Sequence, residues 1–308
     1  MNPAWSVILF TSAAGMAQGL VVSLALMRMF AAPLAPSTVQ AALLIALALL
    51  VFALGASFFH LGRPERAWRA VLMWRTSWLS REVIVLPAFI AAVAVWACWG
   101  SRTPIVWLAL CIALAALLWW CTAQIYACLR FIQEWAHGFT VAAFTLSGLA
   151  SGALLLCAML ALLSDAESSQ TLGPWALRAL LLAGVVRWLA MRRNAALKPR
   201  STLQSATGIQ ARDLRQTAMG MSAGSFNTRE FFHGRVPALV RQIKHAGLLL
   251  GFALPALLML WALRSDGYAL RLLALAALMA HVPGLLADRW FFFAQARHPQ
   301  NLYYQVVS

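Results

Sequence analysis

Two ionisable side chains stand where a proton-coupled reaction could run at the edge of an apolar phase. His60 closes one long apolar run, and Glu82 stands at the start of the next. Between them lies a basic, tryptophan-rich connection. An imidazole, with an unperturbed pKa of about 6.5, can hydrogen-bond one hydroxyl of a hydroquinone. A carboxylate can take the second proton. Both residues also have a purely structural reading. Gly62 can adopt a left-handed helix C-cap, Pro64 stops the helix, and a histidine suits the negative end of the dipole. Ser80 can cap the following helix, and an acid in its first turn suits the positive end. Arg63 and Arg81 flank the pair, where they could balance its charge or serve topology and docking.

The elements that must position these residues are eight apolar runs. They cover 5–29, 38–59, 83–100, 104–127, 139–163, 174–191, 245–263 and 268–293. At 1.5 Å per residue, about 18–25 helical residues cross a hydrocarbon core of about 30 Å. Of the 308 residues, 62% are hydrophobic and only 11% charged, with a mean hydropathy of +0.76. A soluble domain carries about 25% charged residues. So few charges cannot clothe a water-facing surface, and the chain reads as an all-α integral membrane protein with eight transmembrane helices. In lipid every backbone polar group must bond internally, and the alternation that a barrel needs is missing. The net charge of +15 comes from 24 basic residues, nearly all arginine, gathered in connections beside the spans. That is where topology determinants belong, so nucleic acid is excluded as a partner. Met1-Asn2-Pro3-Ala4-Trp5 lacks the basic start of a signal peptide, so the first run is expected to remain as a helix.

The connections after spans 2, 4 and 6, together with the tail, hold eighteen Lys and Arg, with Arg289 and Arg297 counted in the tail. The opposite connections hold five. The positive-inside rule places both termini and the two long loops, about 60–82 and 192–244, in the cytoplasm. The long loops recur four helices apart. Ser80-Arg81-Glu82 in the first is echoed by Thr228-Arg229-Glu230 in the second, which suggests two related four-helix halves within one transmembrane domain. Within Ser222–Gly234 the aromatic residues Phe226, Phe231 and Phe232 read either as an interfacial segment or as a contact surface for a soluble subunit.

Other chemistries fit less well. The five cysteines form no C-x-x-C pair and read as small hydrophobes. Of six histidines only His281 lies deep in a span, and a bis-histidine haem needs two. His281 precedes Val282-Pro283-Gly284, so it reads as a satisfied packing residue in a kinked helix. No metal ligand set and no catalytic residue is expected. A transporter would place broken helices and polar groups near the midplane, which reads here as almost purely apolar. A transporter and a passive anchor without its own quinone site remain the alternatives.

The phrases HLGRPERAWRA at 60–70 and WRTSWLSRE at 74–82 resemble the membrane anchor subunits of dimethyl sulfoxide reductase-type molybdoenzymes. NPAWSVILFTSAAG near the start and NTREFFHG at 227–234 fit the same family. The resemblance implies an eight-helix subunit of the bacterial inner membrane without haem or iron–sulfur cluster of its own. It implies partners, an iron–sulfur subunit and a molybdopterin catalytic subunit, and electron exchange with menaquinone or ubiquinone. The histidine and glutamate that the family associates with quinol fall on His60 and Glu82. Arg66, Arg69, Arg229, Phe231 and Phe232 are then expected to meet the partner. The phrase at 225–234 and the inward-facing basic surface resemble the sulfite dehydrogenase branch more than the dimethyl sulfoxide reductase branch.

Overall fold

The computed structural model of the protein describes residues 1–31, 34–59, 61–163, 166–215 and 235–299. His60, the second long loop's Phe226, Arg229, Phe231 and Phe232, and the echoed Thr228 and Glu230 lie outside the described residues. Among the described residues eight helices are long and apolar enough to cross a membrane. They are α1 (Trp5–Phe30), α2 (Pro36–Phe58), α3 (Trp78–Trp99), α4 (Ile105–Ala127), α5 (Gly138–Leu162), α6 (Ala166–Ala195), α7 (Pro237–Ala262) and α8 (Gly267–Ala294). No strand occurs among the described residues, and the chain is a multi-pass membrane protein.

The helices extend beyond the apolar runs where polar residues can still be helical. The third starts at Trp78 rather than Val83, so Arg81 and Glu82 sit inside it. Its cap is Ser77, whose hydroxyl accepts the Ser80 N–H at 3.3 Å, and Ser80 itself is buried. Gly62 is not left-handed; among the described glycines only Gly100, Gly208 and Gly267 have positive φ. Arg289 lies not in a tail but deep in α8, at 2% exposure. On the sparsely basic side, Arg28 at the end of α1 donates to the Gly100 and Ser101 carbonyls at 2.9 and 2.8 Å. It therefore ties down the turn after α3, where a cation suits the helix's negative end.

α1 and α5 form the centre of the bundle, with most of their apolar stretches buried inside the protein while the other spans face lipid over much of theirs. They cross at Gly15 and Gly19 of α1 and Gly148 and Gly152 of α5. In each helix these glycines are the eleventh and fifteenth residues. Between lipid-bathed helices association depends on close packing, and glycines four apart let two backbones touch. A Cβ on Gly152 would collide with the Gly19 and Leu20 backbone, and one on Gly19 with the Gly148 carbonyl. Gly152→Leu is expected to prevent the central helices from docking. Size-exclusion of a fluorescent fusion in detergent would then show aggregate in place of a monodisperse peak, and an unchanged peak would refute this packing.

Candidate functional site

Glu82 is the fifth residue of α3, only one turn from the helix start, yet it is 5% exposed. Ordinarily an acid in a first helical turn faces water. Here the helix begins early, and α4 covers that face. The Thr122 hydroxyl of α4 donates a hydrogen bond to Glu82 Oε1. Cys121 and Tyr126 of α4 lie within Coulombic reach of the same carboxylate. Glu82 has no ion-pair partner among the described residues. A buried acid held by one hydroxyl at a bilayer edge can gain and lose a proton without breaking a salt bridge.

The connection leading into α3 is a 3₁₀ segment, Pro64–Met73, capped by Arg63. Its side chains are mostly exposed, including Trp68, Leu72 and Met73. Arg66 pairs loosely with Glu65 at 3.8 Å, and the Arg69 guanidinium sits 5.5 Å from the Trp68 ring centre. Arg81 points back over this segment. Its Nε and Nη2 donate to the Trp74 and Arg75 carbonyls at 2.9 and 2.8 Å, and its guanidinium lies 4.1 Å from the Trp78 ring. Arg81 thus fastens the connection to α3 instead of reaching Glu82. Arg63, Arg66 and Arg69 are exposed, and of the predicted quinone residues Glu82 alone is enclosed among the described residues.

A cleft of about 370 Å³ runs between α1 and α2 on the same side. Ser6, Leu9, Phe52, Gly55, Ala56 and Phe59 line it, so it reaches the residue preceding His60. Such volumes fall within the roughly 300–1,000 Å³ of small-molecule sites.

Sequence reasoning missed a buried charged cluster on α6 and α8. Arg187 Nε and Nη2 contact Asp288 Oδ1 at 2.8 and 2.7 Å, with both side chains essentially inaccessible. The Arg289 guanidinium lies 3.9 Å from the Phe144 ring centre. Around them Tyr126, Trp135, Phe144, Phe292 and Phe293 pack edge and face. The available signal was an Asp-Arg pair within the last two turns of an apolar helix, opposed by a lone arginine in another. Ionisable residues at such depth are functional candidates by default.

His281 is the satisfied residue its position predicts. Pro255 has no N–H to offer the carbonyl four residues earlier, and the π-turn Leu249–Ala253 precedes it. His281 Nδ1 donates to that Gly251 carbonyl at 2.6 Å. Nε2 lies 2.8 Å from Ser151 Oγ, so both ring nitrogens are engaged. Gly251 and Gly284 touch at this crossing, which is what brings the ring within reach. Among the described residues no three His, Cys, Asp or Glu side chains converge as a metal site, and all five cysteines are free.

The profile of the DMSO reductase anchor subunit (DmsC) family matches residues 1–294. A sulfite dehydrogenase subunit of Allochromatium vinosum is 44% identical over 331 aligned residues, covering 100% of both chains.

Proposed function

The chain belongs to the DMSO reductase anchor subunit family, and we propose that it anchors a molybdopterin oxidoreductase to a bacterial inner membrane and exchanges electrons with quinone at the Glu82 face. The partners are an iron–sulfur subunit and a molybdopterin catalytic subunit, docked on the basic side with both termini cytoplasmic. Full-length likeness to the sulfite dehydrogenase subunit favours that type of complex over a dimethyl sulfoxide reductase.

The observation that carries this reading is Glu82, a carboxyl enclosed one turn inside the helix start with no ion-pair partner among the described residues. At that depth an acid is costly unless it has work to do. The reaction is quinone plus two electrons plus two protons giving quinol, or its reverse. Electrons pass between the ring and the partner's iron–sulfur chain. Glu82 carries one proton, with Thr122 holding its other form in place. His60, which follows Phe59 at the end of α2, carries the second. The α1–α2 cleft gives the isoprenoid tail an apolar berth. Arg81 shapes the edge of the site through the Trp74 and Arg75 carbonyls, and Arg63 contributes charge at its rim. Arg66, Arg69, Trp68 and Leu72 form the exposed, mixed surface that a soluble partner covers, and Arg229, Phe231 and Phe232 of the second loop are further residues expected to meet that partner. The chain supplies no haem or cluster of its own in this scheme.

His60→Ala is expected to leave the complex assembled while quinone-linked turnover stops. Wild-type turnover by an assembled variant in purified membranes would remove His60 from the site.

A further inference from the structure

A second cleft, of about 610 Å³, lies on the opposite face from Glu82, where α1, α5 and α6 meet. Phe30 of α1, Leu149 and Ala153 of α5, and Leu172 and Leu182 of α6 give it apolar walls. It opens beside the end of α1 and reaches Leu149, near the middle of α5. Along α6 it runs from Thr171 to Leu182, eleven residues or about 16 Å of helix. That is about half of a hydrocarbon core of about 30 Å, the reach of one lipid leaflet.

Arg178 is the sole ionisable residue among those lining the cleft. It is exposed, and among the described residues it forms no ion pair and donates no hydrogen bond. Its guanidinium instead lies 4.9 Å from the ring centre of Trp175, one turn nearer the start of α6. Arg28, at the end of α1, is by contrast tied to two carbonyls. Glu167, the described acid on α6, is eleven residues from Arg178, about 16 Å along the axis.

The depth of Arg178 makes its lone charge costly. Arg192, over Trp188, marks the basic end of the same helix. The two arginines are fourteen residues apart, about 21 Å, which is less than the thickness of the hydrocarbon core. With Arg192 at one headgroup layer, the Arg178 backbone lies among the acyl chains of the other leaflet. Helical side chains lean toward the N-terminus, so Arg178 reaches past Trp175 toward the nearer surface. A cation at that depth needs an anion beside it.

We propose that this cleft holds one phospholipid with a net-negative, single-phosphate headgroup, of the phosphatidylglycerol class. The phosphate meets the Arg178 guanidinium, whose planar fork suits two oxygens. Trp175 stands at headgroup level, where interfacial tryptophans gather. One acyl chain follows the cleft past Leu149 to Leu182. Basic clefts between transmembrane helices recognise anionic headgroups by the same chemistry. A quinone fits less well, because its uncharged ring leaves the cation unmatched and no carboxyl or imidazole lines the cleft to exchange protons. A zwitterionic headgroup brings its own ammonium and matches Arg178 less fully. The lipid bridges α1 and α6 over α5, beside the glycine crossing at Gly152. This site stands whether or not Glu82 serves quinone.

The purified complex, stripped of loose lipid in detergent, is titrated with phosphatidylglycerol, phosphatidylethanolamine and a ubiquinone analogue, and native mass spectrometry reads what is bound. One tightly retained phosphatidylglycerol is expected, preferred over phosphatidylethanolamine by about fivefold, the worth of one arginine at an anionic lipid surface. R178M is expected to lose that preference and R178K to keep it. L182W, which fills the inner end of the cleft from an exposed position, should retain less of either lipid. Equal binding of the two lipids by wild type, or an undiminished preference in R178M, would overturn the proposal. So would displacement of the lipid by the quinone analogue, which would make the cleft a quinone site. If R178M does not accumulate, an L182W complex that retains lipid as wild type does would refute it instead.

Discussion

Replacing Glu82 with glutamine is expected to lower quinone-linked turnover by about a hundredfold or more while the complex still assembles. A positioned acid or base contributes roughly 10²–10⁴-fold to a proton-coupled step. Glutamine has the same shape, and its carbonyl oxygen can still accept the Thr122 hydroxyl. Packing of α3 on α4 is therefore retained, and only the exchangeable proton is lost. Turnover with purified membranes, measured beside the amount of assembled complex, reads the effect. A variant that assembles and turns over quinone within a fewfold of wild type would show that Glu82 is a structural acid, and the passive-anchor reading would gain.

The second large effect is on stability. Asp288→Ala leaves Arg187 buried without its anion, within the same interior as Arg289. Breaking one side of a buried ion pair typically costs about 3–5 kcal/mol, because the remaining charge stays desolvated. The subunit is expected to fail to accumulate, or to lose its monodisperse peak on mild heating in detergent. Arg187→Met combined with Asp288→Ala removes both charges and should recover much of the loss, since the coupled pair is not additive. An Asp288→Ala protein as heat-resistant as wild type would mean that the pair contributes nothing to the fold.

The eight spans are legible because bilayer thickness imposes length and apolarity on each. Their ends are not, because a helix continues through polar residues once a cap and a neighbour satisfy it. Ser77 rather than Ser80 starts α3, and that shift of a few residues turns Glu82 from a surface acid into an enclosed one. Arg289 reads as a tail residue for a related reason. Charge alone suggests water, while the Phe144 ring and the neighbouring Arg187–Asp288 pair make burial tolerable. The glycine pairs at the α1–α5 crossing are visible as a spacing, but only the bundle reveals that they face each other. The expected docking residues Arg66 and Arg69 lie on an exposed segment, as its basic composition implies.

Photo-crosslinking with an azido-quinone, followed by mapping of the labelled peptides, tests the quinone site most directly. Label is expected in the stretch from the end of α2 to the first turns of α3 and along the α1–α2 cleft, and it should be lost in Glu82→Gln. Label confined to another groove, such as the one lined by Trp175 and Arg178 on the opposite face, and undiminished in that variant, would contradict it.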